Sequence, residues 1–467
     1  MSSARRPREA FVLAAVGIAW LAAGVATGAA SFLLALLPGS LMLTAGVATL
    51  VLRGDPRLRH LGALGAVAGL LLGLPLVVSM GAVGALGLAA LAALALVAEG
   101  RIGIATVESF AGVPAPETGV RTAAEVGADD AILALMVQSL PAPRADDHTR
   151  IAREVEDARG LFAAEGWLAD PAKYHPAPPA LEAPESVTAS FRGLAYRQLR
   201  YESGYEPYVE EPGRERWLAQ TANRTAHAWV LQHEGPPRPW LVCIHGYQMG
   251  LPWMDLSAFQ AKKWHRERGL NLAFPVLPLH GPRMRGRISG DGTLSAEFLD
   301  SVHALAQAMW DIRQLVGWIR AQEAPGIGVY GLSLGGYTAS LLAGLEGGLA
   351  CAVAGIPAVD FARLVWRHGP AGDLAAALDA GLERAAVDEI LRVVSPLSFA
   401  PKLPRERRAI FGATADQLVP PDQVRDLWRH WDEPEIAWYP GAHLGFMLHP
   451  HVGRLTERTV REAGLVA

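Results

Sequence analysis

The stretch VYGLSLGGYTASLLAG, Val329 to Gly344, decides how the chain reads. A short apolar run leads into Gly-Leu-Ser-Leu-Gly-Gly, and a helix-like run follows. Gly-x-Ser-x-Gly between a buried strand and a helix is the setting of a sharp turn that lifts a serine above a sheet. Gly331 and Gly335 keep the neighbours of Ser333 small, and Gly336 eases the approach of the helix. The backbone N–H of Leu334, at the start of that helix, can point at a developing oxyanion. Ser333 is therefore a candidate nucleophile. The bland alternative is a small residue in a tight turn, and position between strand and helix argues against it.

Strand-like and helical runs alternate on either side of the motif. TAHAWVLQ, WLVCIHG, NLAFPVLPLHG, IGVYG, CAVAGIP, RAIFGAT and EIAWY read as strands, with helical runs in between. Continuous apolar strands between helices predict an α/β fold with a mostly parallel sheet covered on both faces. Functional residues in such sheets gather at the carboxyl ends of the strands. A serine hydroxyl needs a base, and the base needs an orienting acid. Asp416 follows one strand in FGATADQLVPP, and His443 follows the next in WYPGAHLGF. Asp360 is the competing acid. Asp422 and Asp426 read as helix-face residues, His449 and His451 as surface residues, and His368 and His430 as helical. The loop CIHGYQMG offers a second backbone donor near Tyr247, with His245 read as structural. In PLHGPRMRGRISGDG, His280 and Arg283 are candidate substrate-binding residues, with Arg285 and Arg287 beside them. The arginines either bind an anionic group or order the loop through salt bridges.

The 467 residues carry a net charge of −4, which suggests no nucleic-acid partner. Cys243 and Cys351 are the 2 cysteines. Both lie in apolar runs and read as buried thiols, and neither forms part of a metal-ligand pattern. The apolar excess is concentrated at the start. No Asp, Glu, Lys or Arg occurs from Ala10 to Leu52, nor from Leu61 to Ala98. A span needs about 20 apolar residues, so each run is two spans long and four membrane helices are expected. The turns are expected at Gly24 to Ser31 and Ser79 to Gly84, and not at Pro38-Gly39. Arg5, Arg6 and Arg8, then Arg53, Arg57 and Arg59, then Arg101 flank the runs. The positive-inside rule puts all three groups, and the rest of the chain, on the cytoplasmic side. A cleaved signal peptide would leave the second run unexplained.

The expected organisation is a transmembrane helical module over 1–101, a helical and proline-rich linker over 102–186, and the α/β domain over 187–467. DDHTRIAREVEDARGLFAAEGWL within the linker reads as a surface helix. The segment 360–408 is a charged helical insertion. It is either a lid lined by Leu364, Val365, Trp366, Leu374 and Leu391, or an outer packing layer.

HGY at 245–247, LHGPR at 279–283, GLSLGG at 331–336, Asp416 before LVPP and His443 in GAH together resemble the alpha/beta-hydrolase superfamily, over roughly Pro239 to Leu448. Within it they are similar to the alpha/beta-hydrolase-domain type 18 branch. The resemblance implies Ser333 as nucleophile, His443 as base, Asp416 as its orienter, and Leu334 with Tyr247 as oxyanion donors. It implies no cofactor and no metal. Serine at the elbow argues against haloalkane- or epoxide-opening chemistry. A membrane-anchored esterase acting on a small-molecule or lipid ester is expected. A peptidase or acyltransferase of the same fold, or an inert membrane-anchored binding module, are the alternatives. No β-propeller repeat precedes the domain, which counts against the prolyl-oligopeptidase group.

Overall fold

A computed structural model describes residues 8–52, 57–139 and 144–466. The chain forms two compact units. The first contains the N-terminal residues to Ser139 together with Gly412–Asp422 and Trp438–His449.

Its helices are α1 (Arg8–Thr27), α2 (Ala29–Val51), α3 (Arg57–Leu72), α4 (Val77–Ala105) and α5 (Val120–Ser139). The break between α1 and α2 falls at Gly28, whose φ of 106° interrupts the helix inside the expected turn. Pro38 lies within α2, which runs through it as expected. The second apolar run turns earlier than expected, between Leu72 and Val77. Gly81, with φ 70° and ψ 170°, then breaks the helical path within the expected segment. The helices of the first pair touch backbone to backbone. A Cβ on Gly17 would lie 2.5 Å from the Leu43 nitrogen, and one on Gly46 would lie 2.5 Å from the Ala14 nitrogen. Small residues at such crossings are how apolar helices pack where lipid supplies no hydrophobic drive. Trp20, Leu13, Met42 and Ala92 fill the centre.

The expected count of four spans needs correction. Among the described residues three helices, α1, α2 and α4, are long and apolar enough to cross a membrane. The 16 residues of α3 rise about 24 Å, short of a hydrocarbon core roughly 30 Å thick. The pairing of helices into two hairpins therefore does not follow. Arg5, Arg6 and Arg53, which entered that argument, lie outside the described residues, as do the side chains of Arg57 and Arg59.

The expected linker is not a spacer throughout. Helix α5 lies along α4 at backbone contact: a Cβ on Gly100 would meet the Ala123 carbonyl at 1.7 Å, and one on Gly127 the Leu96 carbonyl at 2.5 Å. Ile104 of α4, Ala123 and Val126 of α5, and Ala415 and Ala442 form one small buried cluster.

The second unit begins with α6 (Ala145–Ala164). Ile151, Val155, Ala158 and Phe162 are buried on one face of it, so the expected surface helix is amphipathic and half embedded. The strands are β1 (Glu185–Phe191), β2 (Leu194–Glu202), β3 (Thr225–Leu231), β4 (Trp240–Ile244), β5 (Asn271–Val276), β6 (Ile327–Leu332), β7 (Cys351–Gly355), β8 (Arg408–Ala413) and β9 (Glu435–Tyr439). Their order in the sheet is β1-β2-β3-β5-β4-β6-β7-β8-β9. β1, β2 and β3 run antiparallel, and β3 is antiparallel to β5. From β5 through β4, β6 and β7 to β8 the pairing is parallel. All seven runs read as strands from the sequence form strands. The β1–β2 hairpin escaped that reading because β1 is exposed along most of its length and carries no apolar run.

The remaining helices are α7 (Arg214–Leu218), α8 (Pro252–Ala258), α9 (Phe298–Ala321), α10 (Leu334–Leu345), α11 (Phe361–His368), α12 (Ala371–Asp379), α13 (Arg384–Leu391), α14 (Pro421–His430) and α15 (Pro450–Glu462). Helices α11 to α13 make up the expected insertion. α13 packs on α6 and α9 and buries Val387, Ile390 and Leu391, while Leu364, Val365, Trp366 and Leu374 are half-buried. This strand order, with its parallel centre and its serine between β6 and α10, is the plan of the alpha/beta-hydrolase fold.

The glycine contacts of α1 and α2 make a prediction. Gly46→Val should overpack the crossing and destabilise the protein by about 1–3 kcal/mol. The check is a lower thermal midpoint in detergent, with Gly87→Ala as a contrast at a helical position where nothing lies within 4 Å of the added carbon.

Candidate active site

β6 ends at Leu332 and α10 begins at Leu334, so Ser333 alone makes the turn. Its φ of 56° and ψ of −115° are strained for a residue with a side chain. The strain is held from both sides. The Ser333 N–H donates to the Gly355 carbonyl at 2.8 Å, and the Ser333 carbonyl accepts from the Tyr337 N–H at 3.0 Å. The flanking glycines have no room to be anything else. A Cβ on Gly331 would lie 1.9 Å from the Gly335 oxygen, and one on Gly335 would lie 1.8 Å from the Ile244 oxygen. Leu334 opens a helix of 12 residues, so its N–H belongs to the turn that lacks intrahelical acceptors.

The loop after β4 runs beside the serine. A Cβ on Gly246 would lie 3.5 Å from the Ser333 Cβ, which puts the backbone leading to Tyr247 next to the elbow. His245 organises this loop. Its Nδ1 donates to the Gly246 carbonyl at 2.8 Å and its Nε2 accepts the Leu277 N–H at 3.0 Å. Burial pushes its pKa down to about 4, so it is a neutral structural histidine. His280 is also fully buried. Its Nδ1 donates to the Pro278 carbonyl at 2.8 Å, and its ring lies 5.0 Å from that of His245 and 6.0 Å from that of Tyr247.

Arg283 departs from the substrate-binding expectation. Its guanidinium is wholly buried and forms an ion pair with Asp311 at 2.8 Å. It also donates to the carbonyls of Val276 and Asn223, each at 2.9 Å. Asp311 accepts from Ser203 at 2.5 Å as well. Arg283 thus ties together the loops after β2 and β5 and helix α9, and it takes the loop-ordering alternative.

The acid and the base come together in the other unit. His443 Nδ1 donates to Asp416 Oδ2 at 2.7 Å, and both residues are buried. The second carboxylate oxygen, Oδ1, accepts the N–H groups of Leu418 at 3.0 Å and Val419 at 2.8 Å. The carboxylate is thus fixed by its own turn. With Nδ1 protonated, the Nε2 of neutral His443 carries the lone pair. Burial by itself would lower the His443 pKa. The negative Asp416, its hydrogen bond and the nearby Asp129 outweigh burial and raise it above the ordinary histidine value. The two loops are also joined by backbone: Thr414 N–H donates to the Tyr439 carbonyl and Ala415 N–H to that of Gly441, each at 3.0 Å.

Sequence reasoning missed α5 as a part of this arrangement. Asp129 Oδ2 accepts the backbone N–H of His443 at 2.8 Å and that of Gln417 at 3.3 Å. Glu125 Oε2 accepts the Ala442 N–H at 3.2 Å. The available signal was a pair of adjacent aspartates, Asp129-Asp130, in the otherwise apolar stretch Val126 to Val137. Among the competing residues, Asp360 caps α11 by accepting the Arg363 N–H at 2.9 Å, and Asp426 pairs with Arg363 at 2.8 Å. His430 is bonded to the Phe399 carbonyl at 2.8 Å. His449 is buried against Tyr439 at 4.8 Å, where a surface residue was expected. Cys243 and Cys351 are buried free thiols. Among the described residues no group of three or more His, Cys, Asp or Glu side chains is arranged to hold a metal ion.

No protein-family model matches the chain. Two proteins of Mycobacterium tuberculosis are similar to it, Uncharacterized protein MT2702 of strain CDC 1551 / Oshkosh and Uncharacterized protein Rv2627c of strain ATCC 25618 / H37Rv. Each is 40% identical over 364 residues, covering 76% of this chain and 85% of the relative. Among solved structures, the acetyl xylan esterase of Paenibacillus sp. R4 is similar with a TM-score of 0.45 and 17% identity, covering 64% of this chain and 99% of that one. Acetyl Xylan Esterase 1 of Thermoanaerobacterium sp. JW/SL YS485 has a TM-score of 0.42 and 16% identity, covering 62% and 93%. Likeness of that degree leaves the fold to be read from the chain's own strand order and elbow.

Removing one partner of a buried ion pair strands the other. Arg283→Ala should therefore destabilise the protein by about 3–5 kcal/mol, read as a lower denaturant midpoint. A folded variant of unchanged stability and raised KM would return Arg283 to the substrate.

Proposed function

The chain belongs to the family of the two mycobacterial proteins, and we propose that it is a membrane-anchored serine hydrolase that cleaves a carboxylic ester through an acyl-enzyme on Ser333. One observation carries the reading: a buried histidine whose Nδ1 is held by a buried carboxylate at 2.7 Å, in a fold whose elbow presents a serine at a strained, positive φ.

The steps follow from those groups. His443 Nε2 takes the hydroxyl proton as Ser333 Oγ attacks the acyl carbon. The carbonyl oxygen becomes an oxyanion, which accepts from the Leu334 and Tyr247 N–H groups. Each such donor is worth on the order of 10²–10³ in rate. The tetrahedral intermediate collapses, and His443 gives its proton to the departing alkoxide. Water, deprotonated by His443, then attacks the acyl-enzyme. Ser333 regains its proton and the carboxylic acid leaves. His280, buried beside Tyr247, supports the loop on the substrate side. None of the steps calls for a cofactor.

Three helices of membrane-crossing length and composition among the described residues support anchoring. They belong to the same unit as Asp416 and His443, which supports an amphiphilic ester, such as a lipid, as the substrate class. Arg101 near the end of α4 and the two free thiols support a cytoplasmic catalytic half.

Fluorophosphonate labelling in membranes tests the nucleophile. The wild type should carry a single adduct on Ser333, found by mass spectrometry. Ser333→Ala should carry none and lose at least about 10⁴-fold in kcat on short acyl esters. Faster turnover of peptide anilides than of p-nitrophenyl esters would favour the peptidase alternative instead.

The raised pKa of His443 has a sign in kinetics. The base must be neutral, so kcat/KM falls as pH drops through that pKa. The acid limb should lie above the ordinary histidine value of about 6.5. Asp416→Asn removes the charge that raises the pKa, so the limb should move to lower pH while the plateau drops.

A further inference from the structure

Helix α5 lies outside the sheet, yet one of its faces is bonded along its length to the two loops that bear Asp416 and His443. Arg121 Nη2 donates to the Leu448 carbonyl at 2.9 Å, and Thr122 Oγ1 to the Pro440 carbonyl at 3.3 Å. One turn further on, Glu125 Oε2 accepts from Ala442; another turn on, Asp129 Oδ2 accepts from His443 and Gln417. The spacing of three or four residues keeps these side chains on one stripe. The facing loop is shaped for them. A Cβ on Gly441 or Gly445 would lie 2.4 Å or 2.2 Å from Glu125 Oε2. Glycine there lets the carboxylate sit directly on the backbone.

Asp129 holds the decisive position. One of its oxygens receives the N–H of the base residue and the N–H of the residue that follows the acid. Asp416 holds the imidazole of His443 by its side chain, and Asp129 holds the same residue by its main chain. A carboxyl this deeply buried is costly in its charged form. Burial, and then the charge of Asp416, hold its pKa well above the usual carboxylate range. A site serving only to fill space would be built from apolar side chains. The chain instead keeps a buried acid where two catalytic loops meet.

We propose that Asp129 is a positioning residue for the Asp416–His443 pair, held in place by a helix that is itself packed against the apolar helix α4. The second part rests on the backbone contacts of Gly100 and Gly127 and on the cluster that joins Ile104, Ala123 and Val126 to Ala415 and Ala442. The inference builds on the reading of His443 as the general base. It assigns a function in catalysis to a segment that the sequence presents as a linker.

Geometry errors near 1 Å at a catalytic group cost about 100-fold in rate. The test uses the full-length protein in detergent, with active sites counted by fluorophosphonate titration so that kcat refers to competent enzyme only. Per titrated site, Asp129→Ala should lose about 10- to 100-fold in kcat with little change in KM. Its acid limb should move to lower pH, because His443 loses its hold on Asp416; Asp416 and Asp129 are the carboxyl groups that raise the pKa of that histidine. Asp129→Asn, whose amide oxygen can accept both N–H groups, should recover most of the loss. Should Asp129→Ala not fold, Asp129→Leu carries the same test, because it fills the same space without an acceptor for the two N–H groups. A purely structural role predicts a lower thermal midpoint with wild-type kcat and wild-type acid limb per titrated site, and that result overturns the inference alone. Turnover that survives Ser333→Ala overturns the inference together with the reading of the site.

Discussion

At two places around Ser333 there is no space for a single carbon atom. Gly331 meets Gly335, and Gly335 meets the end of β4, at distances that exclude any Cβ. That contact lets α10 start one residue after β6 ends. It forces Ser333 into a backbone conformation that side chains avoid, and the bonds to Gly355 and Tyr337 keep it there. The direction of the hydroxyl, the helix N-terminus beside it and the neighbouring β4 loop all follow from this one close approach. Such strain persists only where surrounding structure over-determines it, and here the wholly buried strands β4, β6 and β7 do so.

Around the elbow the loops are organised by buried polar groups rather than by apolar packing. His245 spends both ring nitrogens on backbone, and Arg283 binds two carbonyls and one carboxylate. Asp416 spends one oxygen on its own turn and the other on His443. Irregular backbone has no ladder to satisfy its N–H and C=O groups, so side chains must do it. The result is a set of loops with few alternative arrangements, which pre-organised catalysis requires.

The N-terminal helices are packed continuously into the acid and base loops. Glycine contacts lock α1 to α2 and α4 to α5, and α5 continues the chain of contacts into the acid and base loops. Apolar helices and the loops of Asp416 and His443 therefore share one packed unit, through a segment whose composition looks like connecting sequence.

Much of this was legible in the residues themselves. The α/β plan, the seven main strands, the Gly28 break and the identities of Ser333, Asp416 and His443 as candidates all follow from local rules: apolar runs, small residues at turns, and side chains placed just past strand ends. These depend on neighbours within a few positions, and one sequence contains them. The rest depends on residues hundreds of positions apart. Nothing local marks Arg283 as the partner of Asp311, separates a helix long enough to cross a membrane from the shorter α3, or brings Asp129 to the amide of His443 across 314 positions. A carboxylate in a helix looks the same in sequence whether it faces water or a buried N–H. Only the packed chain decides that, because burial and the second partner both come from elsewhere in the fold.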